Sequence, residues 1–106
     1  MGIGDQLKNE IVRRVPAVAQ PERIILFGSA ATGTMTADSD VDLLVVEPAA
    51  RDPRKRSVVI GDALRGLGLP FDVIVMPRER FEETKDPIGG IAYPASRTGR
   101  VIYEAA

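Results

Sequence analysis

Apolar residues recur at every fourth position near the start of the chain. The series is Ile3, Leu7, Ile11 and Val15, with charged or amide side chains between its members. A spacing of four residues aligns side chains on one face of an α-helix, so this pattern predicts an amphipathic helix. Pro16 is expected to end this helix or to lie just past its last turn, because proline has no amide hydrogen for the helical hydrogen bond.

Three short apolar runs have the composition of strands. They occupy Arg23 to Phe27, Val41 to Val46 and Phe71 to Met76, and the last is bounded by Pro70 and Pro77. The second run is apolar on both faces, so we expect a central strand that helices cover on at least one side.

Helical patterns separate and follow these strands. Pro53 stands at a first helical position inside the charged stretch Arg51 to Arg56, which we expect to be a solvated helix start. The apolar stripe of this helix is predicted at Val59, Ala63, Leu64 and Leu67. A short helix is expected near residues 78–83, then a loop at 85–87, a small-residue segment at 88–98 with helical character, and an apolar end at residues 101–103. The order helix, strand, strand, helix, strand, helix is typical of a small α/β or α+β domain, a mixed sheet flanked by helices.

Size and charge restrict the classes of protein to consider. A chain of 106 residues is expected to form one domain over residues 1–106. The net charge is −1, and no apolar run approaches the roughly 18 residues that span a membrane. We therefore expect neither a membrane protein nor direct binding of nucleic acid. The first residues lack the basic and apolar regions of a signal peptide, which predicts a cytoplasmic protein.

The chain contains no cysteine and no histidine. Disulfides and thiolate metal sites are therefore excluded, and so is the commonest general base. Any chemistry must run on carboxylates, hydroxyls, Lys, Arg and the backbone.

Two aspartates stand at the start of the second predicted strand. Asp40 and Asp42 are two positions apart, and side chains on a strand alternate between faces, so both are expected on the same side of the sheet. Two like charges this close favour a cation between them, and Mg²⁺ prefers one or two carboxylates together with water and substrate phosphate. Taken alone, such a pair is more often a solvated turn or a helix cap.

A small-residue turn follows the first predicted strand. Gly28 permits a backbone conformation that other residues resist, and it lets another group approach the main chain closely. Ser29 adds a hydroxyl group, and residues 29–32 can form one helical turn whose free N–H groups would face an anion. The turn therefore suits a polyphosphate, whereas a glycine and a serine by themselves more often only end a strand.

A third acid opens the last predicted strand. Alternation puts Asp72, Ile74 and Met76 on one face and Phe71, Val73 and Val75 on the other. If the second set packs under helices, Asp72 opens onto the opposite face, which should be the face of Asp40 and Asp42. Three acids and two metal ions would clamp the attacking and leaving oxygens of a phosphoryl displacement. Without a histidine, Asp72 is also the candidate proton acceptor for a hydroxyl nucleophile.

Together these residues resemble the nucleotidyltransferase superfamily that includes DNA polymerase beta. The matching elements are Gly28-Ser29, Asp40-Val41-Asp42 and Asp72 within Phe71 to Val75. With the shortness of the chain and its closing segment Gly99 to Glu104, the pattern is similar to the minimal nucleotidyltransferases. These are the antidote partners of HEPN-domain ribonuclease toxins in prokaryotic toxin–antitoxin pairs. One position departs from the pattern: Thr32 precedes Gly33, where relatives often carry a basic residue.

The resemblance implies a nucleotidyltransferase fold with ATP as nucleotide donor and Mg²⁺, in two ions, as cofactor. It also implies that Gly28 and Ser29 contact the nucleotide phosphates, that Asp40 and Asp42 bind the metals, and that Asp72 is the third catalytic and metal-binding carboxylate. The function it implies is transfer of AMP to a hydroxyl of a partner HEPN ribonuclease toxin, with tyrosine as the acceptor, which neutralises the toxin.

Two alternatives stay open at this point. An antitoxin can neutralise its toxin by binding alone, its acids being retained for folding or nucleotide sensing. Nucleotidyl transfer to a small molecule, as in the aminoglycoside-modifying relatives, is the other alternative. A macromolecular acceptor is favoured over a small one, because the chain has no second domain to build an acceptor pocket and a protein partner would wall off the site from water.

Overall fold

The computed structural model describes residues 4–28, 40–48, 51–84 and 99–105. The predicted turn at 29–32, the loops at 33–38 and 85–87 and the helical segment at 88–98 lie outside these ranges, as do Ile3, Ser29 and Thr32. In chain order the elements are α1 (Asp5–Val18), β1 (Arg23–Phe27), β2 (Val41–Val46), α2 (Pro53–Ala63), β3 (Phe71–Met76), α3 (Arg78–Thr84) and β4 (Arg100–Glu104).

The strands form one sheet in the order β3-β2-β1-β4. β1 is antiparallel to both β2 and β4, whereas β2 and β3 are parallel. The sheet is therefore mixed and flanked by helices, which confirms the predicted fold class. The three predicted strands have the predicted bounds, and β2 lies in the interior of the sheet.

Helices α1 and α2 cover one face of the sheet, which we call the helical face. Ile11 and Val15 of α1 are buried there, with Ile60 of α2 and Leu64 just after it. The strand residues beneath them are Ile24, Leu26, Val41, Leu43, Val45 and Val75. The predicted stripe of α2 is thus correct at Leu64 but misses Ile60, while Val59 and Ala63 are only half-buried.

The opposite face, which we call the open face, carries a smaller apolar cluster. Its members are Ile25, Phe27, Leu44, Val46, Met76 and Phe81. Phe81 belongs to α3, and the Arg23 guanidinium lies 6.0 Å from the centroid of its ring. Arg78 of α3 pairs with Glu22 next to β1. These contacts hold α3 at the end of the open face where β2 and β3 finish.

The prediction that Pro16 ends α1 is wrong by two residues. Pro16 lies inside the last turn, and the helix continues to Val18. Proline removes one amide donor, but the Ala19 N–H donates to the Val15 carbonyl at 3.0 Å and closes the turn. The chain then becomes extended at Ala19.

The apolar residues 101–103 belong to an edge strand, β4, which the sequence pattern did not predict. Its register with β1 shifts between Ile24 and Ile25, which pair with Tyr103 and Val101. Ile102 is thereby an extra residue, and it packs on the helical face together with its neighbour Tyr103. Such an irregularity breaks the period of two by which strands are identified in a sequence.

A buried ion pair joins the ends of α1, β2 and the start of α2. Glu47, just after β2, accepts hydrogen bonds from the Gln20 N–H at 2.8 Å and from Arg56 Nε at 3.0 Å. Arg56 also donates to the Val18 carbonyl at 2.7 Å. Arg56 is therefore part of the core framework, and the expectation of a solvated helix start is wrong at this residue.

Within the described ranges, no helix has both the length and the apolar character required to cross a membrane.

We expect Arg56→Ala to lower the free energy of unfolding by about 1–3 kcal/mol, because it leaves the Glu47 carboxylate unpaired. The Glu47 side chain is only 9% exposed. The control is Arg65→Ala, since Arg65 and its partner Asp62 are 82% and 58% exposed, and it should change stability by about 0.5 kcal/mol or less. Urea denaturation measures both variants. Equal losses would show that the Glu47–Arg56 pair is no more important than a surface pair.

Candidate active site

The parallel pairing of β2 and β3 brings two of the predicted acids together. Asp42 and Asp72 are direct neighbours in the register. The Val41 N–H donates to the Pro70 carbonyl at 2.9 Å just before them, which fixes the starts of both strands. Because adjacent strands lie about 4.8 Å apart, the two carboxylates project from the sheet at neighbouring positions. Alternation puts both on the open face, at the end away from α3.

Asp40 stands two residues before Asp42, immediately ahead of β2. It lies close enough for its charge to act on the Asp42 carboxyl. Asp40 and Asp72 are exposed, whereas Asp42 is half-buried. The three acids therefore form one group with a sheltered member between two accessible ones.

The environment of Asp42 disfavours its charged form. Burial is the largest cause that raises the pKa of Asp42, and the negative charges of Asp72 and then Asp40 raise it further. In the ranges that the structure describes, none of the three acids forms an ion pair with Lys or Arg. The protein thus concentrates negative charge here without neutralising it.

Gly28 contributes a backbone conformation that only glycine adopts easily. It follows Phe27, which is opposite Asp42 in the β1–β2 register, and its φ is +66°. A Cβ atom at this position would overlap Asp42 Oδ2 and would lie 3.4 Å from Asp42 Cγ. The close approach that the sequence suggested at Gly28 is therefore made, among the described residues, by the carboxylate of Asp42.

These residues fit a divalent cation that is shared with a phosphate-bearing ligand. Among the described residues, no three Asp, Glu, His or Cys side chains are placed so that they could hold a metal ion by themselves. Mg²⁺ does not require such a cage, because it takes one or two carboxylates and completes its shell with water and phosphate oxygens. Hard oxygen donors and uncompensated negative charge both suit this arrangement.

The structure thus brings together Asp40, Asp42, Asp72 and Gly28, and Ser29 lies outside the described residues. The contact between Gly28 and Asp42 was missed from the sequence. A signal for it exists: once the two apolar runs are paired as antiparallel strands, Phe27 falls opposite Asp42, so the next residue lies beside the Asp42 side chain.

The model of the nucleotidyltransferase domain family matches residues 5–93 of the chain. No curated protein sequence matches the chain significantly.

Solved structures with a similar fold include two toxin–antitoxin complexes. One, determined with AMP-PNP, has a TM-score of 0.65 and 18% identity, and the match covers 92% of this chain and 73% of that one. The other is a mutant of MntA-HpeT in which two aspartates, two positions apart, are replaced by glutamate. It has a TM-score of 0.70 and 16% identity with the same coverage, 92% and 73%.

A third similar structure is a protein described as a nucleotidyltransferase of Sulfolobus solfataricus. Its TM-score is 0.55 at 20% identity, with 98% of this chain and 92% of that one covered. At these identities the likeness to all three establishes the nucleotidyltransferase fold.

We expect Asp42→Asn to raise the melting temperature of the metal-free protein at pH 7. The pKa of Asp42 is higher in the folded protein than in the unfolded chain, so the folded state retains a proton that the unfolded state releases. The free energy of unfolding therefore falls as the pH rises from about 4, the ordinary value, through the raised value. The asparagine variant should lack this fall.

Melts between pH 4 and pH 8, run in chelator, measure the effect. Glu83→Gln on the exposed surface of α3 is the control and should leave the pH profile unchanged. A lower melting temperature for Asp42→Asn at pH 7 would mean that the charged carboxylate has a stabilising partner.

Proposed function

This chain belongs to the nucleotidyltransferase domain family, and from that premise we propose that it is a Mg²⁺-dependent enzyme that transfers AMP from ATP to a hydroxyl group of a partner toxin. The transfer neutralises the toxin, so the protein acts as an antitoxin. Because ATP is the donor, we propose the cytoplasm as its place of action.

The observation that carries this proposal is the register pair Asp42 and Asp72 beside Gly28. Two carboxylates at one level of a parallel strand pair, without a cation from the described part of the chain, destabilise the protein unless a metal ion joins them. Asp40 and Asp42 are proposed to bind the metal, with Asp72 as the third carboxylate at its edge. When bound, Mg²⁺ supplies charge neutralisation at the phosphate oxygens.

The different exposure of the acids supports different roles for them. Asp42 is half-buried on an interior strand, as suits a ligand that must stay fixed. Asp72 is exposed on the edge strand β3, where a large acceptor can reach it. Asp72 is therefore proposed as the group that accepts the proton of the acceptor hydroxyl.

The proposed reaction is a displacement at the α-phosphorus of ATP. The acceptor oxygen forms a bond to that phosphorus, and the bond from the phosphorus to the bridging oxygen of the β-phosphate breaks. Pyrophosphate leaves with the electron pair, and the hydroxyl proton passes to the Asp72 carboxylate. Gly28 and Ser29 are proposed to contact the phosphates.

The similar structures support a toxin as the acceptor. Two are toxin–antitoxin complexes, one of them with AMP-PNP and the other with altered aspartates at the spacing of Asp40 and Asp42. We propose a HEPN-family ribonuclease as the partner and a tyrosine as the acceptor, from the resemblance to the minimal nucleotidyltransferases.

We expect MgATP to stabilise the protein against heat. At a ligand concentration about 100 times the dissociation constant, binding to the folded state adds about 2.7 kcal/mol. Melting curves with Mg²⁺ or Mn²⁺ and AMP-PNP measure this, and Asp40→Asn with Asp42→Asn should remove most of the shift. The absence of a shift at millimolar metal and nucleotide would refute the proposed site.

We expect Asp72→Asn to slow AMP transfer by about 10²-fold or more, the usual scale for loss of a positioned base. Binding of MgATP should be retained, because Asp40 and Asp42 remain. Intact-mass measurement of the toxin after incubation with antitoxin and MgATP follows the transfer. Asp62→Asn, which removes an exposed acid on α2, is the control.

Two outcomes would change the assignment. If Asp72→Asn transfers AMP at the parent rate, the partner supplies the base. If the parent protein neutralises the toxin and the toxin mass is unchanged, neutralisation occurs by binding alone.

A further inference from the structure

We propose that Gly28 is a positioning residue for Asp42: the lack of a side chain at position 28 is what allows one oxygen of the Asp42 carboxylate to lie against the end of β1. This inference rests on the proposed function in that it assigns the Asp42 carboxylate to the metal. It differs from a role of Gly28 in phosphate contact, because it acts before any nucleotide is present.

The contact follows from the pairing of β1 and β2. Phe27 is opposite Asp42, so Gly28 is the first residue past that pair, where β1 has ended. A Cβ atom on Gly28 would overlap Asp42 Oδ2, whereas it would lie 3.4 Å from Cγ and 3.7 Å from Cβ of Asp42. The space that a side chain would need is therefore filled by one carboxylate oxygen.

A substitution at position 28 is expected to move that carboxylate and to leave the strand in place. Asp42 lies on β2, which is paired on both sides and has buried residues before and after it, Val41 and Leu43. The distance of 3.7 Å to Asp42 Cβ is an ordinary van der Waals contact. Rotation about the side-chain bonds of Asp42 thus relieves the overlap at low cost, but it moves the oxygen out of the place that it holds beside position 28.

The chain provides a matched control for the backbone strain. Gly66 has a φ of +87°, also in the region that other residues resist, and in the described part of the chain no heavy atom apart from its two chain neighbours lies within 4 Å of a Cβ placed on it. Alanine at position 66 therefore carries the cost of the backbone conformation without a contact to any side chain.

The experiment compares Gly28→Ala, Gly66→Ala, Asp42→Ala and the double variant Gly28→Ala with Asp42→Ala in the full chain. Melting temperature and the dissociation constant for Mn²⁺, measured by electron paramagnetic resonance without nucleotide, are the two readouts. We expect both glycine variants to lower the melting temperature similarly. Only Gly28→Ala should weaken Mn²⁺ binding, by about 10-fold or more, as for other residues that orient a metal ligand. The double variant should bind Mn²⁺ as weakly as Asp42→Ala alone, with no further loss of affinity from Gly28→Ala.

Two results would overturn the proposal. One is a Mn²⁺ affinity of Gly28→Ala equal to that of Gly66→Ala. The other is a loss of Mn²⁺-binding free energy in the double variant that equals the sum of the losses in the two single variants, because Gly28 would then act independently of Asp42. If alanine at these positions prevents folding, Gly28→Asn and Gly66→Asn replace them, since asparagine tolerates positive φ better and still has a Cβ.

A crystal structure of the Gly28 variant separates this proposal from the proposed function. If the parent protein does not bind Mn²⁺, the metal assignment fails, and the position of Asp42 in the variant still decides the present question. A carboxylate turned away from position 28 supports the positioning role. A carboxylate that keeps its place, with the backbone at position 28 displaced, refutes it.

Discussion

The parallel pairing of β2 with β3 is the constraint on which the rest of the site depends. It sets two carboxylates at one level of the sheet, where burial and like charge both act against ionisation of Asp42. The pairing cannot slip by one residue to relieve this, because Val41, Leu43 and Val45 would then turn away from the helical face. The apolar core therefore holds the acids in an arrangement that their own electrostatics oppose.

The acidic side chains at the two ends of β2, Asp42 and Glu47, have different environments. At the end of β2, Glu47 receives hydrogen bonds from Gln20 and Arg56, and its charge is neutralised. At the start of β2, Asp42 is half-buried beside other acids, without an ion pair in the described ranges. The first arrangement connects α1, β2 and α2, and the second concentrates negative charge without neutralising it.

The strands and the common face of the acids were predictable because both depend on short-range pattern. A run of β-branched residues marks β1 and β2, and alternation alone puts Asp72 opposite the residues that pack under helices. The features that the sequence did not predict depend on tertiary contacts. Arg56 is in a charged stretch, and only the packed fold brings it to Glu47. Ile102 in β4 is an extra residue in its ladder, which erases the alternation. The contact of Gly28 with Asp42 requires the register of two strands, which no local pattern contains.

The unfavourable environment of Asp42 has a consequence for the evolution of this sequence. A neutral side chain at position 42 removes the repulsion from the neighbouring acids and the cost of burying a charge. Substitution of Asp42 by a neutral residue is therefore expected to raise the free energy of unfolding. A lineage released from its chemistry would be expected to lose the acid early and to keep the fold.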